Sequence, residues 1–308
     1  MSTYTAYGLT ICSDFELPEL LPLPPQDAQA CAVRIRLGAV PTELTDPVGT
    51  GVLYQAKPNE FLLRLDAVAG YWVTGGTEIV VDPVVGATDE EIRLFLLGSA
   101  LGALLHQRGL LVIHANAIET PKGAILISGT SGSGKSTLGA ALWQRGYRLL
   151  ADDVCAVAPN PDDAATPIVL PGYPQTKLWA DTATKLALDT DALRRVRPQL
   201  DKFAVPLESL FVRESLPLYA VYLLQTHNKG DLLLAEVEHA RKFGVLLHNT
   251  YRGRFLDGLA MRVEHFGLVT MAANAARVVR VTRPSHPYLL DELASAVEAD
   301  FLEERCDG

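Results

Sequence analysis

The sequence predicts an α/β fold in two parts, a small β-rich module over residues 1–87 and a larger α/β unit over 88–308. Three observations carry this. Up to residue 87 the chain is a series of short branched and aromatic runs broken by Pro and Gly. At Thr88 the texture changes to a capped apolar helix. Residues 124–152 then read as strand, glycine-rich loop, helix and strand.

In the front module the runs "TYTAYGLTIC", "VRIRLGAV", "GVLYQA", "EFLLRL", "GYWVTGG" and "TEIVVDP" alternate as strands do, and no helical period or fixed repeat appears. A mostly antiparallel sheet is expected. In "TDEEIRLFLLGSALGALLHQRG", Thr88 stands at a cap with Glu91 three residues on, a capping box. Asp89, Glu90 and Glu91 suit the positive end of the helix dipole, and Gly109 suits its end. "LLVIHANAI" (110–118) and "AILIS" (124–128) flank the turn "ETPKG" and predict a hairpin. A helix over 135–145 follows, with Gly146 as its cap, then the strand "YRLLA", with 153–158 continuing extended.

Further on, 159–167 is a polar loop, 172–181 opens a mixed region, and a helix is expected near 181–190. The basic, proline-broken stretch 195–207 reads as loop. "YAVYLLQTH" and "DLLLAEVE" read as strands, 239–249, 253–260 and 266–276 as helices, and 276–284 as a late strand. "PYLLDELASAVEADFLEE" is a final amphipathic helix.

Bulk properties narrow the function. Hydrophobic residues at 48% and charged residues at 20% describe a globular chain, not a disordered one. A formal charge of −9 argues against a general nucleic-acid partner, which needs clustered Lys and Arg. Cys12, Cys31, Cys155 and Cys306 are scattered with no C-x-x-C, so they read as ordinary thiols of a reducing compartment. The first twenty residues lack the pattern of a signal peptide, and the longest apolar run, 94–105, is too short to span a bilayer. A cytoplasmic chain without a membrane partner is expected.

The chemistry lies in "GTSGSGKS" (129–136), which fits G-x-x-x-x-G-K-[ST] between an apolar strand and a helix. In such a loop glycines turn successive N–H groups onto a phosphate, and the helix aims its positive end at the same anion. Gly129, Thr130, Ser131, Gly132, Ser133, Gly134, Lys135, Ser136 and Thr137 are therefore the candidate nucleotide site. Lys135 is placed for the β- and γ-phosphates. Ser136 is the candidate Mg²⁺ ligand, with Thr137 second. The next strand ends in two acids, Asp152 and Asp153. On an extended chain neighbours face opposite sides, so one acid would serve the metal and the other an acceptor, unless the second is merely solvated. His114, on the strand before the loop, is within reach of an aspartate if the strands lie side by side.

The passage "VIHANAI…GAILISGTSGSGKSTLGAALWQRGYRLLADDV" resembles the catalytic domain of HPr kinase/phosphorylase, a P-loop group related in fold to phosphoenolpyruvate carboxykinase. That resemblance implies a kinase core of this type. It also implies that Asp152, assisted by His114, acts as base toward a serine hydroxyl, leaving Asp153 with Ser136 for Mg²⁺. "LLGSALGALLHQRGLLVIHANAI", "GYPQTKLW", "RVRPQLDKFAVPL" and "NTYR" resemble a branch of HPr-kinase-like proteins found with lasso-peptide biosynthesis. The branch implies ATP- and Mg²⁺-dependent phosphorylation of a small ribosomal precursor peptide at its C-terminal Ser. Other peptide-maturation proteins are implied as partners, and the wider family implies a homo-oligomer.

Lys177, Arg195, Arg197 and Lys202 concentrate positive charge suited to a triphosphate or a carboxylate. Arg252 is a candidate transition-state clamp. Tyr173 and Trp179 are candidates for an acceptor wall. A carrier-protein kinase/phosphorylase, a non-catalytic ATP-binding accessory protein and a small-molecule kinase are the alternatives.

Overall fold

A computed structural model describes the chain except for residues 25–29, 164, 187, 198–199, 228–229, 239, 286–288 and 304–308, and except for the side chains of Arg197 and Leu200. Cys306 falls outside the described residues, while Cys12, Cys31 and Cys155 are free thiols.

The front of the chain forms one nine-stranded sheet among the described residues, running in space from Leu21–Pro22 at one edge to Gly49–Thr50 at the other. Most neighbours are antiparallel, as the alternating runs predict. Val33–Leu37 is the exception, pairing in parallel with both Leu9–Ser13 and Glu78–Pro83. Phe61, Tyr71, Val73 and Ile79 are buried on its inner side.

The helix Asp89–Phe95 starts at the expected capping box. The Thr88 hydroxyl accepts from the Glu91 N–H at 3.3 Å and the Glu91 carboxylate accepts from the Thr88 N–H at 3.5 Å. The helix widens into a π turn over Leu96–Ala100, resumes over Leu101–Gln107, and stops before Gly109 at φ 71°. Its apolar face packs on the front sheet, with Ile92, Leu96 and Leu101 in one cluster with Tyr71 and Val73. That same cluster takes in Val112, Val154 and Phe255, so one core runs across residue 88.

The second sheet carries the loop. Its path is Leu111–Ile113, Cys155–Ala158, Ile168–Leu170, Leu216–His227, Gly123–Gly129, Ala115–Thr120 and Leu149–Asp152. The hairpin expected around "ETPKG" forms in register from Ala115↔Ser128 to Thr120↔Gly123. Arg277–Pro284 lies parallel to Leu216–His227, and Leu233–Glu236 pairs with Arg277–Pro284. The strands around "NKGD" are thus separated by a third strand.

Four expectations change. The strand over 110–118 breaks at His114, because Leu111–Ile113 pairs with Cys155–Ala158 while Ala115–Thr120 pairs with the loop strand. The chain does not stay extended through Asp153, whose φ is 66°, so alternation does not govern the two aspartates. Residues 195–207 are not loop. Arg194–Arg197 and Leu200–Pro206 are strands, and with Gln175–Trp179 they form a three-stranded sheet. The basic composition suggested solvent, but a partner some 25 residues upstream buries Phe203 and Val205. The helix expected near 181–190 is the shorter Ala180–Lys185.

Candidate active site

The loop forms because its glycines take conformations that side chains resist. Gly129, Gly132 and Gly134 have φ of 144°, 80° and 100°. At Gly129 a Cβ would also stand 2.6 Å from the Leu224 carbonyl. The helix Lys135–Gln144 begins directly after Gly134, so its free N–H groups face the loop. The Arg283 guanidinium, which also lines the cavity over the loop, steadies it by donating to the Ser133 carbonyl at 2.9 Å. Lys135 is buried and donates to the Gly129 and Thr130 carbonyls at 2.9 and 3.1 Å. Burial pulls its pKa down, against the two aspartates. A cavity of ≈ 370 Å³ opens over the loop, lined by Ser131, Gly132, Gly134, Lys135, Ser136 and Thr137.

The two aspartates occupy different environments. Asp152 is buried, and its carboxylate accepts from five donors. Oδ1 takes the Asn116 amide at 3.2 Å, the Asp153 N–H at 3.0 Å and the Ser136 hydroxyl at 3.5 Å. Oδ2 takes the Thr176 hydroxyl at 2.6 Å and the Lys177 N–H at 2.9 Å. Thr137 turns elsewhere, its hydroxyl 3.0 Å from that of Thr182. The Ser136–Asp152 oxygen pair at the loop's lip fits a hard cation such as Mg²⁺, which takes one or two protein oxygens and fills its shell with water and phosphate. Among the described residues no cluster of three or more His, Cys, Asp or Glu exists, so nothing resembles an all-protein metal cage.

Asp153 turns its carboxylate out of the core toward Lys177, whose ammonium stands 3.2 Å away. Burial alone would raise the Asp153 carboxyl, but the Lys177 and Lys202 ammonium groups outweigh it and hold it far below the usual carboxylate range. His114 does not touch either carboxylate. Its Nδ1 stands 3.0 Å from the backbone carbonyl of Asp153, which assigns the proton to Nδ1 and leaves Nε2 as an acceptor. Burial, and then Lys135, lower its pKa and keep the ring neutral.

A second cavity of ≈ 680 Å³ lies on the other side of this pair. Leu94, Phe95 and Gly98 of the front helix wall it on one side, and residues 248–252 on the other. That strap is fixed by backbone bonds, the His114 N–H to the Asn249 carbonyl at 2.9 Å and the Tyr251 N–H to the Val112 carbonyl at 2.8 Å. The Tyr251 ring packs where the helix has glycines, since a Cβ on Gly102 would stand 2.8 Å from its Cε1. Arg252 is exposed at φ 51°, stacks on Tyr251 and lines this cavity. His114, Ser131 and Asp153 line both cavities.

The other expected residues scatter. Lys202 lines the loop cavity, as does Trp179, over whose ring it sits at 5.8 Å. Tyr173 is buried, its hydroxyl pushed up to about 12 by burial, and lines neither cavity. Arg195 pairs with Asp201 at 2.6 Å, away from the loop. The Arg197 side chain lies outside those described. Asn116, a polar residue on a predicted strand, and Thr176, in a stretch read only as a mixed region, hold Asp152 and have no further signal in the sequence.

No protein-family model matches the chain, and no curated protein matches it. Among solved structures it is similar to the Hpr(Ser) kinase/phosphatase from Coxiella burnetii, at 15% identity over 62% of this chain and 96% of that one, with a TM-score of 0.33. A likeness of that size assigns the chain to no family. No described helix is long and apolar enough to cross a membrane.

Proposed function

We propose that the protein is an ATP- and Mg²⁺-dependent phosphotransferase with an alcohol acceptor, a kinase acting on a serine of a small ribosomal precursor peptide. The observation that carries it is that Asp153 and His114 stand where a phosphate-loop cavity meets a second, more apolar one. A chain that only bound nucleotide has no use for a base and a carboxylate between two cavities. The choice of a peptide ending in Ser comes from the resemblance of the sequence to the lasso-peptide branch.

In this reading Gly129 to Thr137 hold the triphosphate, with Lys135 leaving the loop carbonyls for the β- and γ-phosphates. Ser136 and Asp152 would hold Mg²⁺, which supplies charge neutralisation along the phosphates. The acceptor serine enters the second cavity. Asp153 accepts a hydrogen bond from its hydroxyl and orients it, and its depressed pKa keeps it an acceptor. The serine oxygen bonds to the γ-phosphorus as the bond to the ADP oxygen breaks, and the hydroxyl proton passes to His114 Nε2. The transfer is loose, so orientation contributes more than proton abstraction. Arg252 neutralises the equatorial oxygens. The aspartate roles are thereby the reverse of those that the resemblance implies, because Asp153 lines both cavities and Asp152 lines neither.

The test is incubation of the full chain with Mg²⁺ and γ-labelled ATP, with a synthetic peptide ending in Ser, with a phosphocarrier protein, or with no acceptor. Label in the peptide at Ser is expected. Label in the carrier alone would point to a carrier-protein kinase. ATP bound without any labelled acceptor would sink the kinase reading in favour of an accessory ATP-binding protein.

A further inference from the structure

The front module reaches the candidate centre through Tyr7. The turn between the strands Ser2–Ala6 and Leu9–Ser13 carries Tyr7 and Gly8, both left-handed, with φ of 55° and 69°. Tyr7 is 2% exposed, although it sits at a hairpin tip where solvent is the rule. Its hydroxyl donates to the Val154 carbonyl at 3.0 Å, and its N–H donates to the Pro171 carbonyl at 2.7 Å. Gly172 makes room for it, since a Cβ there would stand 3.3 Å from the Tyr7 hydroxyl oxygen.

Val154 directly follows Asp153, and its own N–H turns back to the Asp152 carbonyl at 2.8 Å. Tyr7 therefore grips the outgoing end of a tight turn centred on Asp153, a non-glycine residue at φ 66°. Such a conformation persists only where neighbours impose it. The incoming end is held by the Asp153 N–H on Asp152 Oδ1, and the middle by His114 on the Asp153 carbonyl. Removing the Tyr7 hydroxyl takes that donor away from the Val154 carbonyl, while the ladder pairing of Cys155 with Ile113 remains. Burial keeps the Tyr7 hydroxyl protonated and so a donor.

We infer that Tyr7 is a positioning residue, which holds Asp153 in the left-handed conformation that turns its carboxylate to the junction of the two cavities, and that residues 1–87 are thereby part of the catalytic centre. The effect on rate rests on the phosphotransferase reading, whereas the effect on the Asp153 turn does not.

The experiment compares the full chain with Tyr7→Phe, which keeps the ring and loses the hydroxyl. Tyr4→Phe is the control, since it loses a bond inside the front module, that from the Leu17 N–H to the Tyr4 hydroxyl at 3.2 Å. Three quantities are read: MgADP affinity, phosphate transfer to a peptide ending in Ser, and the ¹⁵N resonances of labelled His114, whose Nδ1 reports the Asp153 carbonyl. Tyr7→Phe is expected to bind MgADP within about twofold of the parent, to shift the His114 resonances, and to lose about tenfold in transfer as a small misplacement does. In an Asp153→Asn background it should lose little more, because the two residues act as one unit. Unchanged His114 resonances in Tyr7→Phe would overturn the inference, as would the same shift in Tyr4→Phe, which would mean general loosening. If the parent chain transfers phosphate to nothing, the kinase reading fails, and the His114 resonances still decide the role of Tyr7.

Discussion

The ammonium of Lys177 stands 3.2 Å from the carboxylate of Asp153, while the backbone N–H of the same lysine donates to Asp152 at 2.9 Å. One residue of the small three-stranded sheet thus tells the two aspartates apart. It gives Asp152 a neutral donor and Asp153 a full positive charge.

The first prediction follows from that pair. Asp153 is held below its ordinary pKa and Lys177 is pushed above its own. The stabilisation from Asp153 is present above about pH 4 and is lost as pH falls through the lower folded value. That from Lys177 is present below about pH 10.4 and is lost as pH rises through the higher folded value. Lys177→Met should therefore cost about 2 kcal/mol, roughly constant from pH 5 to 9, below the full cost of a deeply buried pair because Asp153 retains some solvent. Urea denaturation at several pH values measures this, and a gap that grows toward pH 9 would contradict it.

Substitution of the aspartates separates their roles. Asp153→Asn should retain MgADP affinity within about threefold and lose about 10²–10⁴ in transfer, the range for a residue that engages the reacting proton. Asp152→Asn places an amide donor among five donors and should lose both metal-dependent nucleotide binding and about 1–3 kcal/mol of stability. Calorimetric titration with MgADP and thermal melting distinguish the two. The opposite pattern would restore Asp152 as the residue that faces the acceptor.

Ser136 and Thr137 are adjacent hydroxyls with different partners, Asp152 and Thr182. Ser136→Ala should raise the Mg²⁺ concentration needed for half-maximal ATP binding by about tenfold, the loss of one charge-assisted oxygen contact. Thr137→Ala should change it by less than about twofold. Equal effects would show that the loop lets either hydroxyl reach the metal.

At Gly102 even a methyl group meets the Tyr251 ring. Gly102→Ala should push the strap that carries Arg252, costing about 1–3 kcal/mol as overpacking does. Transfer should fall while MgADP affinity stays near that of the parent, because the strap borders the second cavity and not the loop. Loss of MgADP binding in parallel would mean that the two cavities are not separable in this way.

Much of this was legible in the sequence for reasons of local chemistry. Thr88 and Glu91 are three residues apart, so their capping box needs nothing from the rest of the chain. Gly129, Gly132 and Gly134 announce a left-handed loop because few other residues adopt it. The same holds for the hairpin, read from its turn "ETPKG", and for the final helix, read from its amphipathic period. The stretch 195–207 was misread because its strand character depends on pairing with Gln175–Trp179, which basic composition cannot disclose.

By itself the sequence determined that a glycine-rich loop exists, that a helix follows it, and that two carboxylates close the next strand. These are matters of spacing and of residue type. Only the tertiary structure decided which carboxylate is enclosed and which is presented. Asn116 from one strand and Thr176 and Lys177 from another close around Asp152. Asp153 escapes that shell only because its backbone leaves the extended region, gripped by a tyrosine almost 150 residues away in sequence. Hydrogen-bond donors saturate an acid by converging from places that adjacency along the chain does not encode, and the choice between two neighbouring aspartates is made there.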